Sequence, residues 1–198
     1  MINLGFLVSN TGTSMRAIVT AIDAGDLDAQ ACIVVSNRPG APALGFARDH
    51  AITTLVIPTA ADPERADRDL ADALASAMVE WVILSGYLRK IGPRTLRAFA
   101  GRILNIHPAL LPRHGGKGLY GRRVHDAVLA SGDSVTGATV HLVDDEYDHG
   151  DALARIEVPV LPTDTAETIE QRVVAVEQGL FVSTLQAIAT GRLHISQA

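Results

Sequence analysis

The sequence predicts an α/β protein with a doubly wound, mostly parallel sheet, helices on both faces and a late antiparallel addition at one edge. Short runs rich in β-branched residues alternate with longer helical patterns through the first half of the chain. Helices of that length between strands imply right-handed crossovers, and hence parallel neighbours. In the last third, two alternating runs follow one another across a short acidic loop, as in an antiparallel hairpin.

The first half of the chain supplies five strands and the helices between them. The strands are predicted at INLGFLV, ACIVVS, TTLVIP, WVILSG and GRILNIHP. After the first strand, Met15, Ile18 and Val19 recur at helical spacing, and further helices are expected over residues 43–50 and 64–80.

The last third is predicted to contain the strands VTGATVHLV and ALARIEVPV, joined by the loop DDEYDHGD, and a closing amphipathic helix over residues 167–190. No repeat, low-complexity tract or linker interrupts the chain. We therefore predict a single domain over residues 1–198.

Composition narrows the function classes. The 198 residues are 47% hydrophobic and 20% charged, with a formal net charge of −5 and no cluster of Lys or Arg, which argues against a dedicated nucleic-acid or membrane-surface binder. The single cysteine, Cys32, excludes an internal disulfide and a cysteine-based zinc site. No run approaches the ~20 apolar residues of a membrane span, and no basic region precedes the N-terminal apolar run. We expect a soluble, cytoplasmic protein.

The stretch NIHPALLP places two polar side chains at the end of an apolar strand. Alternation puts Asn105 and His107 on one face and Ile106 on the other, and Pro108 takes the chain out of the sheet. An Asn amide can donate to a developing oxyanion, and a His can donate or accept a proton near neutral pH. The pair suits attack on a carbonyl; the alternative is a hydrogen-bonded contact with a neighbouring loop.

The segment SNTGTSM lies between the first strand and the first helix. Gly12 frees the backbone, Thr13 or Ser14 can cap the helix, and exposed N–H groups at a helix start bind anions such as phosphate. The segment matches neither a dinucleotide-binding fingerprint nor a Walker motif. Phosphate binding and a well-capped turn both stay open here.

A third polar group is expected to act on the imidazole of His107. The acidic loop between the late strands can supply it, although such a loop is also typical of a solvated hairpin tip. His141 is expected to be a hydrogen-bonded core histidine. A metal site of His107, His141 and Asp148 lacks support, because no HExxH motif or closely spaced His pair is present. The absence of a G-x-S-x-G elbow disfavours covalent catalysis.

With these positions in view, the chain resembles the formyltransferases that use 10-formyltetrahydrofolate, and among them the phosphoribosylglycinamide formyltransferases. The resemblance extends over residues 2–193 and implies the formyltransferase fold. It is carried by NIHPALLP, LSGYLRKIGP, TGATVHLVDDEYDHG and Glu177 in the last helix. The HPxLLP element alone marks the wider family and does not identify the acceptor.

The resemblance implies a catalytic trio of Asn105, His107 and Asp148. Asn105 and His107 would polarise the formyl group and hold the tetrahedral oxyanion. Asp148 would orient His107 and relay protons from the attacking amine to the departing folate nitrogen.

The resemblance also implies binding residues for two small molecules. Gly12, Thr13 and Ser14 would hold the substrate phosphate, and Glu177 would meet the ribose hydroxyls or the glycinamide portion. The folate-binding pocket would be lined by Leu88, Arg89, Ile91, Val143, Asp144, Asp145 and Glu146. The formyl folate is a co-substrate, so neither a tightly bound cofactor nor a metal is expected.

Three segments depart from the commonest family pattern. The first loop lacks a second glycine and an Asn, and has Asn10 and Ser14 in their places. The segment RHGGKGLYGRRVHDAV is longer than the compact versions, so Lys117, Tyr120 or Arg123 either encloses the substrate or lies in a mobile surface loop. His149 occupies a usual glycine position, which puts the local turn in question.

The implied function is transfer of the formyl group of 10-formyltetrahydrofolate to the amine of glycinamide ribonucleotide, in de novo purine synthesis. The alternatives are a sugar-nucleotide formyltransferase, a deformylase, and a non-catalytic domain that binds a phosphorylated ligand. The SNTGTS loop disfavours the first, and the first strand at residue 2 disfavours the second, which carries a preceding regulatory domain. Retention of all three catalytic groups disfavours the third.

The expected partners are small-molecule substrates, with no nucleic acid and no membrane. The acidic balance and the short segment after Arg192 disfavour the related tRNA enzyme, which carries a further C-terminal domain. A homodimer stays open.

Overall fold

The computed structural model describes residues 1–195. Its strands are β1 (Ile2–Val8), β2 (Ala29–Ser36), β3 (Thr53–Val56), β4 (Trp81–Ser85), β5 (Ile103–His107), β6 (Val135–Leu142) and β7 (Ala152–Pro159). Its helices are α1 (Thr13–Asp23), α2 (Pro42–Asp49), α3 (Pro63–Ser76), α4 (Pro93–Ala98), α5 (Arg122–Ser131) and α6 (Ala166–Ala189).

The strands form one sheet in the order β3-β2-β1-β4-β5-β6-β7. The first five strands of the chain are parallel to one another, whereas β6 is antiparallel to both β5 and β7. The predicted fold class is confirmed, including the late antiparallel strands at one edge. The strand order reverses between β1 and β4, and ligands of such sheets bind beyond the carboxyl ends of the strands at the reversal.

The sheet buries apolar side chains on both faces, as the alternation along β1 shows. Leu4, Phe6 and Val8 pack into a cluster with α1, α2 and α6, whereas Leu7 packs on the other side with α3. A smaller cluster joins α5 and α6 to β6 and β7. Because helices occupy both faces, the loops at the strand ends are left to carry a site.

Three helical segments differ from the prediction. α3 ends at Ser76 instead of residue 80, because Met78 takes a left-handed φ of 53° and the N–H of Val79 bonds back to the carbonyl of Leu74. α4 and α5 are additional helices, and α5 begins at the end of the glycine-rich segment 113–123. Its buried apolar side chains are Val124 and Val128, too few to give a clear helical period.

Within residues 1–195, no helix combines the length and the apolar character that crossing a bilayer requires.

Candidate active site

Asn105 and His107 lie at the carboxyl end of β5, the last parallel strand of the sheet. Antiparallel pairing with β6 places Asn105 opposite His141 and His107 opposite Thr139. The amide nitrogen Nδ2 of Asn105 is 3.1 Å from Nε2 of His141, and His107 is only 3% exposed. Pro108 then takes the chain out of the ladder. Both polar side chains line one cavity at this edge.

Asp148 lies between two imidazoles. Its Oδ2 is 3.4 Å from Nδ1 of His107, and its Oδ1 is 3.6 Å from Nε2 of His141. The backbone N–H of Gly116 donates to the same Oδ2 at 3.0 Å. The carboxylate is therefore held against both rings and is positioned to exchange a proton with either.

The turn that carries Asp148 accommodates His149 at the usual glycine position. The left-handed φ of 55° falls on Asp148 itself. The backbone of Gly150 lies so close to β6 that a Cβ at this position would be 2.1 Å from the carbonyl oxygen of Leu142. His149 is exposed, and its Nδ1 is 2.8 Å from a carboxylate oxygen of Asp144. The position that requires glycine is therefore 150, and His149 leaves the turn intact.

Backbone carbonyls fix the tautomers of both histidines, because a carbonyl only accepts hydrogen bonds. Nε2 of His107 donates to the carbonyl of His114 at 2.8 Å. Nδ1 of His141 donates to the carbonyl of Leu142 at 2.8 Å. In the neutral rings, the other nitrogens present lone pairs towards Asp148. A proton bound between Asp148 and either ring removes the repulsion between these acceptors, so the cluster can take up and release one proton.

Burial and the nearby negative charge shift the pKa values of these two rings in opposite directions. Burial lowers the pKa of His107, whereas the neighbouring carboxylate of Asp148 raises it by a smaller amount. Burial also lowers the pKa of His141, against the effects of the Leu142 carbonyl and Asp148. Both rings are therefore mainly neutral at pH 7, which suits a group that must accept a proton.

Asn105, His107 and Asp148 open onto a cavity of about 830 Å³. The cavity is large enough to enclose much of a ligand of several rings. Its walls are the loops that follow β1, β4 and β5, the start of the α5 segment and two acidic side chains. The lining includes residues 10–14, 84–89, 105–108 and 116–121, Arg123, Asp148 and Glu177.

The predicted phosphate loop forms the start of α1, but without a side-chain cap. Gly12 is the N-cap residue with a left-handed φ of 64°, and as a glycine it offers no side chain to cap the helix. The expectation that Thr13 or Ser14 caps the helix is therefore wrong. The N–H of Met15 donates to the Ser85 hydroxyl at 2.9 Å. The amides of Thr13 and Ser14 precede this contact and lie where a helix start binds an anion.

Glu177 lines the same cavity from α6. Burial, with a smaller contribution from the negative charge of Glu170, raises the pKa of Glu177 to about 7. The carboxyl group is therefore poised between its neutral and charged forms at neutral pH, and a ligand that donates hydrogen bonds to it favours the charged form.

The seven predicted folate residues fall into three groups. Leu88 and Arg89 line the cavity, and the N–H of Leu88 is anchored on the buried hydroxyl of Ser9 at 2.9 Å. Ile91 is buried, and Val143 packs against the same apolar cluster below the loop. The acidic residues of the hairpin loop lie outside the cavity lining: Asp144, Asp145 and Glu146. Folate contacts of all seven residues stay predictions.

The prediction that His141 is a hydrogen-bonded core histidine is confirmed, because the ring is buried and bonds the carbonyl of Leu142. The ring also contacts Asn105 and faces Asp148, which the sequence does not predict. The observation that would place His141 in the site is the pairing of two strands, because this polar residue of β6 lies opposite the polar Asn105 of β5. Among residues 1–195, no group of three or more His, Cys, Asp or Glu side chains has the arrangement of a metal site.

Residues 2–185 match the profile of the family described as Formyl transferase. The chain is 40% identical over 192 residues to the "Phosphoribosylglycinamide formyltransferase, chloroplastic" of Vigna unguiculata, covering 96% of this chain and 62% of that protein. It is 32% identical over 197 residues to the phosphoribosylglycinamide formyltransferase of Haemophilus influenzae, covering 98% of this chain and 91% of that protein. The chain thus spans less than two thirds of the length of the plant relative.

A solved structure is similar over nearly the whole chain. Glycinamide ribonucleotide transformylase 1 from Symbiobacterium toebii superposes with a TM-score of 0.90 at 36% identity, covering 99% of this chain and 91% of that chain.

Proposed function

Because this chain belongs to the formyl transferase family, we propose that it transfers the formyl group of 10-formyltetrahydrofolate to the amine of glycinamide ribonucleotide. The observation that carries the proposal is the meeting of Asn105, His107 and Asp148 in a cavity that also contains a helix start suited to phosphate. The names of the plant and bacterial relatives support the same acceptor. The reaction is a step of de novo purine synthesis.

The ribonucleotide is proposed to bind across α1, α5 and α6. The amides of Thr13 and Ser14 hold the phosphate, and Glu177 receives hydrogen bonds from the ribose or the glycinamide portion. Lys117 and Arg123 line the same cavity and add positive charge. The Arg123 guanidinium lies 5.1 Å over the ring of Tyr120, so these residues support enclosure of the substrate more than a mobile surface loop.

Bond formation begins when the amine nitrogen attacks the formyl carbon, and the formyl oxygen becomes an oxyanion. One amide hydrogen of Asn105 is directed at Nε2 of His141, which leaves the second hydrogen free to donate to the oxyanion. Nδ1 of His107 is free of the carbonyl that occupies Nε2. When protonated, it provides a second donor beside Asp148.

The tetrahedral intermediate collapses by breaking the bond between the formyl carbon and the folate nitrogen. The attacking amine loses one proton, and the departing nitrogen gains one, so protons balance over the cycle. The pair of His107 and Asp148 receives the first proton and returns it, directly or through water, to the leaving nitrogen.

The folate is proposed to act as a co-substrate beside Leu88 and Arg89, with no tightly bound cofactor. We further propose that the enzyme acts on small molecules alone, in the cytoplasm, and that a homodimer is compatible with this activity. Analytical ultracentrifugation of the purified chain distinguishes a 20.9 kDa protomer from a dimer of twice that mass.

A spectrophotometric assay of formyl transfer tests the proposed function. Glycinamide ribonucleotide, water, methionyl-tRNA and amino-sugar nucleotides are compared as acceptors, and turnover is expected with the first alone. Asn105→Ala serves as the control and is expected to lower kcat by on the order of 10²-fold or more, as loss of an oxyanion donor does. Faster reaction with water or an amino sugar would replace the proposed acceptor, and no turnover with any acceptor would favour a non-catalytic binder.

A further inference from the structure

A three-residue segment contacts two of the catalytic side chains through its backbone. The carbonyl of His114 accepts from Nε2 of His107 at 2.8 Å, and the N–H of Gly116 donates to Asp148 at 3.0 Å. Between them, a Cβ on Gly115 would lie 3.2 Å from the Cβ of Asp148. The position of this segment therefore decides how His107 and Asp148 meet.

The backbone of His114 takes an unusual conformation that needs support. Its φ is 56°, in the left-handed region, which costs a residue with a Cβ about 1 kcal/mol or more. Nothing in the flexible glycines that follow can hold it there, because glycine is permissive of many conformations. A contact of the His114 side chain can supply that support.

That support is a carboxylate from another part of the chain. Nε2 of His114 is 2.6 Å from Oδ2 of Asp133, and the two side chains are 14% and 13% exposed. Asp133 directly follows Gly132, the residue that ends α5, and a single residue separates it from the start of β6. Asp133 is thus fixed between two regular elements, and its other oxygen is paired with the exposed Arg113. The hydrogen bond from His114 lowers the pKa of Asp133, so the anchor is charged at neutral pH.

We propose that the pair of Asp133 and His114 positions the catalytic ring of His107. Asp133 holds the ring of His114, the ring holds its own carbonyl in place, and the carbonyl fixes Nε2–H of His107 so that Nδ1 faces Asp148. Asp133 and His114 are positioning residues, since neither lines the cavity. The inference rests on the proposed function for its kinetic consequence but on geometry alone for the state of His107.

Removing the anchor is expected to affect turnover more than substrate binding. Asp133→Ala should lower kcat by on the order of tenfold or more and change KM by less than about twofold, because misplacing a catalytic group by a fraction of an ångström is costly. His114→Asn should act alike, since Asn tolerates the left-handed backbone but is too short to reach Asp133. The double variant should be no slower than the slower single variant, because both changes break one chain of contacts.

A matched control separates positioning from general stability. Arg113→Ala removes the other partner of Asp133, at a side chain that is 67% exposed, and should leave kcat within about twofold, as surface changes usually do. Thermal unfolding of each variant is recorded beside the kinetics. Asp133→Asn keeps an acceptor oxygen for His114 and should restore most of the kcat that Asp133→Ala loses.

The decisive measurement is the side-chain nitrogen spectrum of His107 in the free protein, which needs no activity. The parent should show the Nε2–H tautomer, and Asp133→Ala should show signals averaged between the two tautomers. Unchanged His107 signals in folded Asp133→Ala would overturn the proposal, as would a change in KM without one in kcat. If Asp133→Ala does not fold, His114→Asn is measured in its place. If the parent transfers no formyl group, the proposed function fails while the spectrum still decides the positioning role.

Discussion

The charge of Asp148 favours the protonated form of His107 and so opposes the effect of burial on that ring. At 3.4 Å from Nδ1 of His107, its negative charge raises a pKa that burial lowers. Asp148→Asn removes that charge while keeping an acceptor for the N–H of Gly116. The pKa of His107 should therefore fall further below its ordinary value, by on the order of one unit. An NMR titration of the His107 nitrogens measures the change.

Asp144→Asn is the matched control, in the same loop and next to a different histidine. Because Asp144 raises the pKa of His149, this variant should lower that pKa and leave His107 as it is. A pKa of His107 that rises or stays constant in Asp148→Asn would mean that the carboxylate does not act on this ring.

At the scale of elements, the start of α1 is expected to bind phosphate by its backbone. Gly12→Ala forces a Cβ onto a left-handed residue and within 3.1 Å of the Ala43 Cβ. The loop should shift, and KM for the ribonucleotide should rise by on the order of tenfold, equivalent to about 1.4 kcal/mol. Ser14→Ala should change that KM by less than about twofold. Steady-state kinetics at saturating folate compare the two; an equal loss in Ser14→Ala would assign the work to the hydroxyl.

β6 holds the turn after β5 by one buried hydroxyl. Oγ1 of Thr139 donates to the carbonyl of Ala109 at 2.7 Å and accepts from the N–H of Leu111 at 3.1 Å. Thr139→Val leaves both backbone groups buried and unpaired, which should lower the free energy of unfolding by about 2 kcal/mol or more. Chemical denaturation measures this loss.

Thr136, on the same strand, is a buried threonine whose hydroxyl makes no such hydrogen bonds within residues 1–195. It is 2% exposed, and its hydroxyl is buried without a hydrogen-bond partner among the described residues. Thr136→Val should therefore leave stability unchanged or raise it by up to about 1 kcal/mol. Equal destabilisation by both substitutions would show that packing, not hydrogen bonding, dominates along β6.

For the whole molecule, Glu177 links stability to pH. Its pKa is raised from 4.5 to about 7 in the folded chain, so the folded state favours the neutral carboxyl. The resulting penalty is absent below pH 4.5, grows as pH rises towards 7 and is constant above it. Glu177→Gln removes the penalty, so it should raise the free energy of unfolding at pH 8 by up to about 3 kcal/mol and leave it unchanged at pH 4.

The exposed Glu157 on β7 is the control for that experiment. Glu157→Gln should shift stability by less than about 0.5 kcal/mol at either pH, as surface substitutions do. Urea denaturation of the three proteins at both pH values gives the comparison. A Glu177→Gln difference that is the same at pH 4 and pH 8 would rule out the linkage.

Much of the fold and part of the site follow from local patterns. Alternation along β1 and β5 predicts which side chains share a face, and it places Asn105 and His107 together without any long-range knowledge. α5 could not be predicted in the same way, because its few apolar residues are separated by polar ones and follow a glycine-rich loop. The contact of His141 with Asn105 could not be predicted, because a buried polar strand residue looks the same in sequence whether it faces a core or a site.

The fold class, the strand tip of Asn105 and His107, and the glycine at the first helix start can be read from the amino-acid sequence, because each depends on side chains within a few residues of one another. The tertiary structure was needed to show that Asp148 lies between two imidazoles, that Nε2 of His107 donates to the carbonyl of His114, and that the ring of His114 is paired with Asp133. These contacts join residues that are far apart in the chain. Their distances depend on the antiparallel register of β5 and β6 and on left-handed turns, and neither is encoded in a local period.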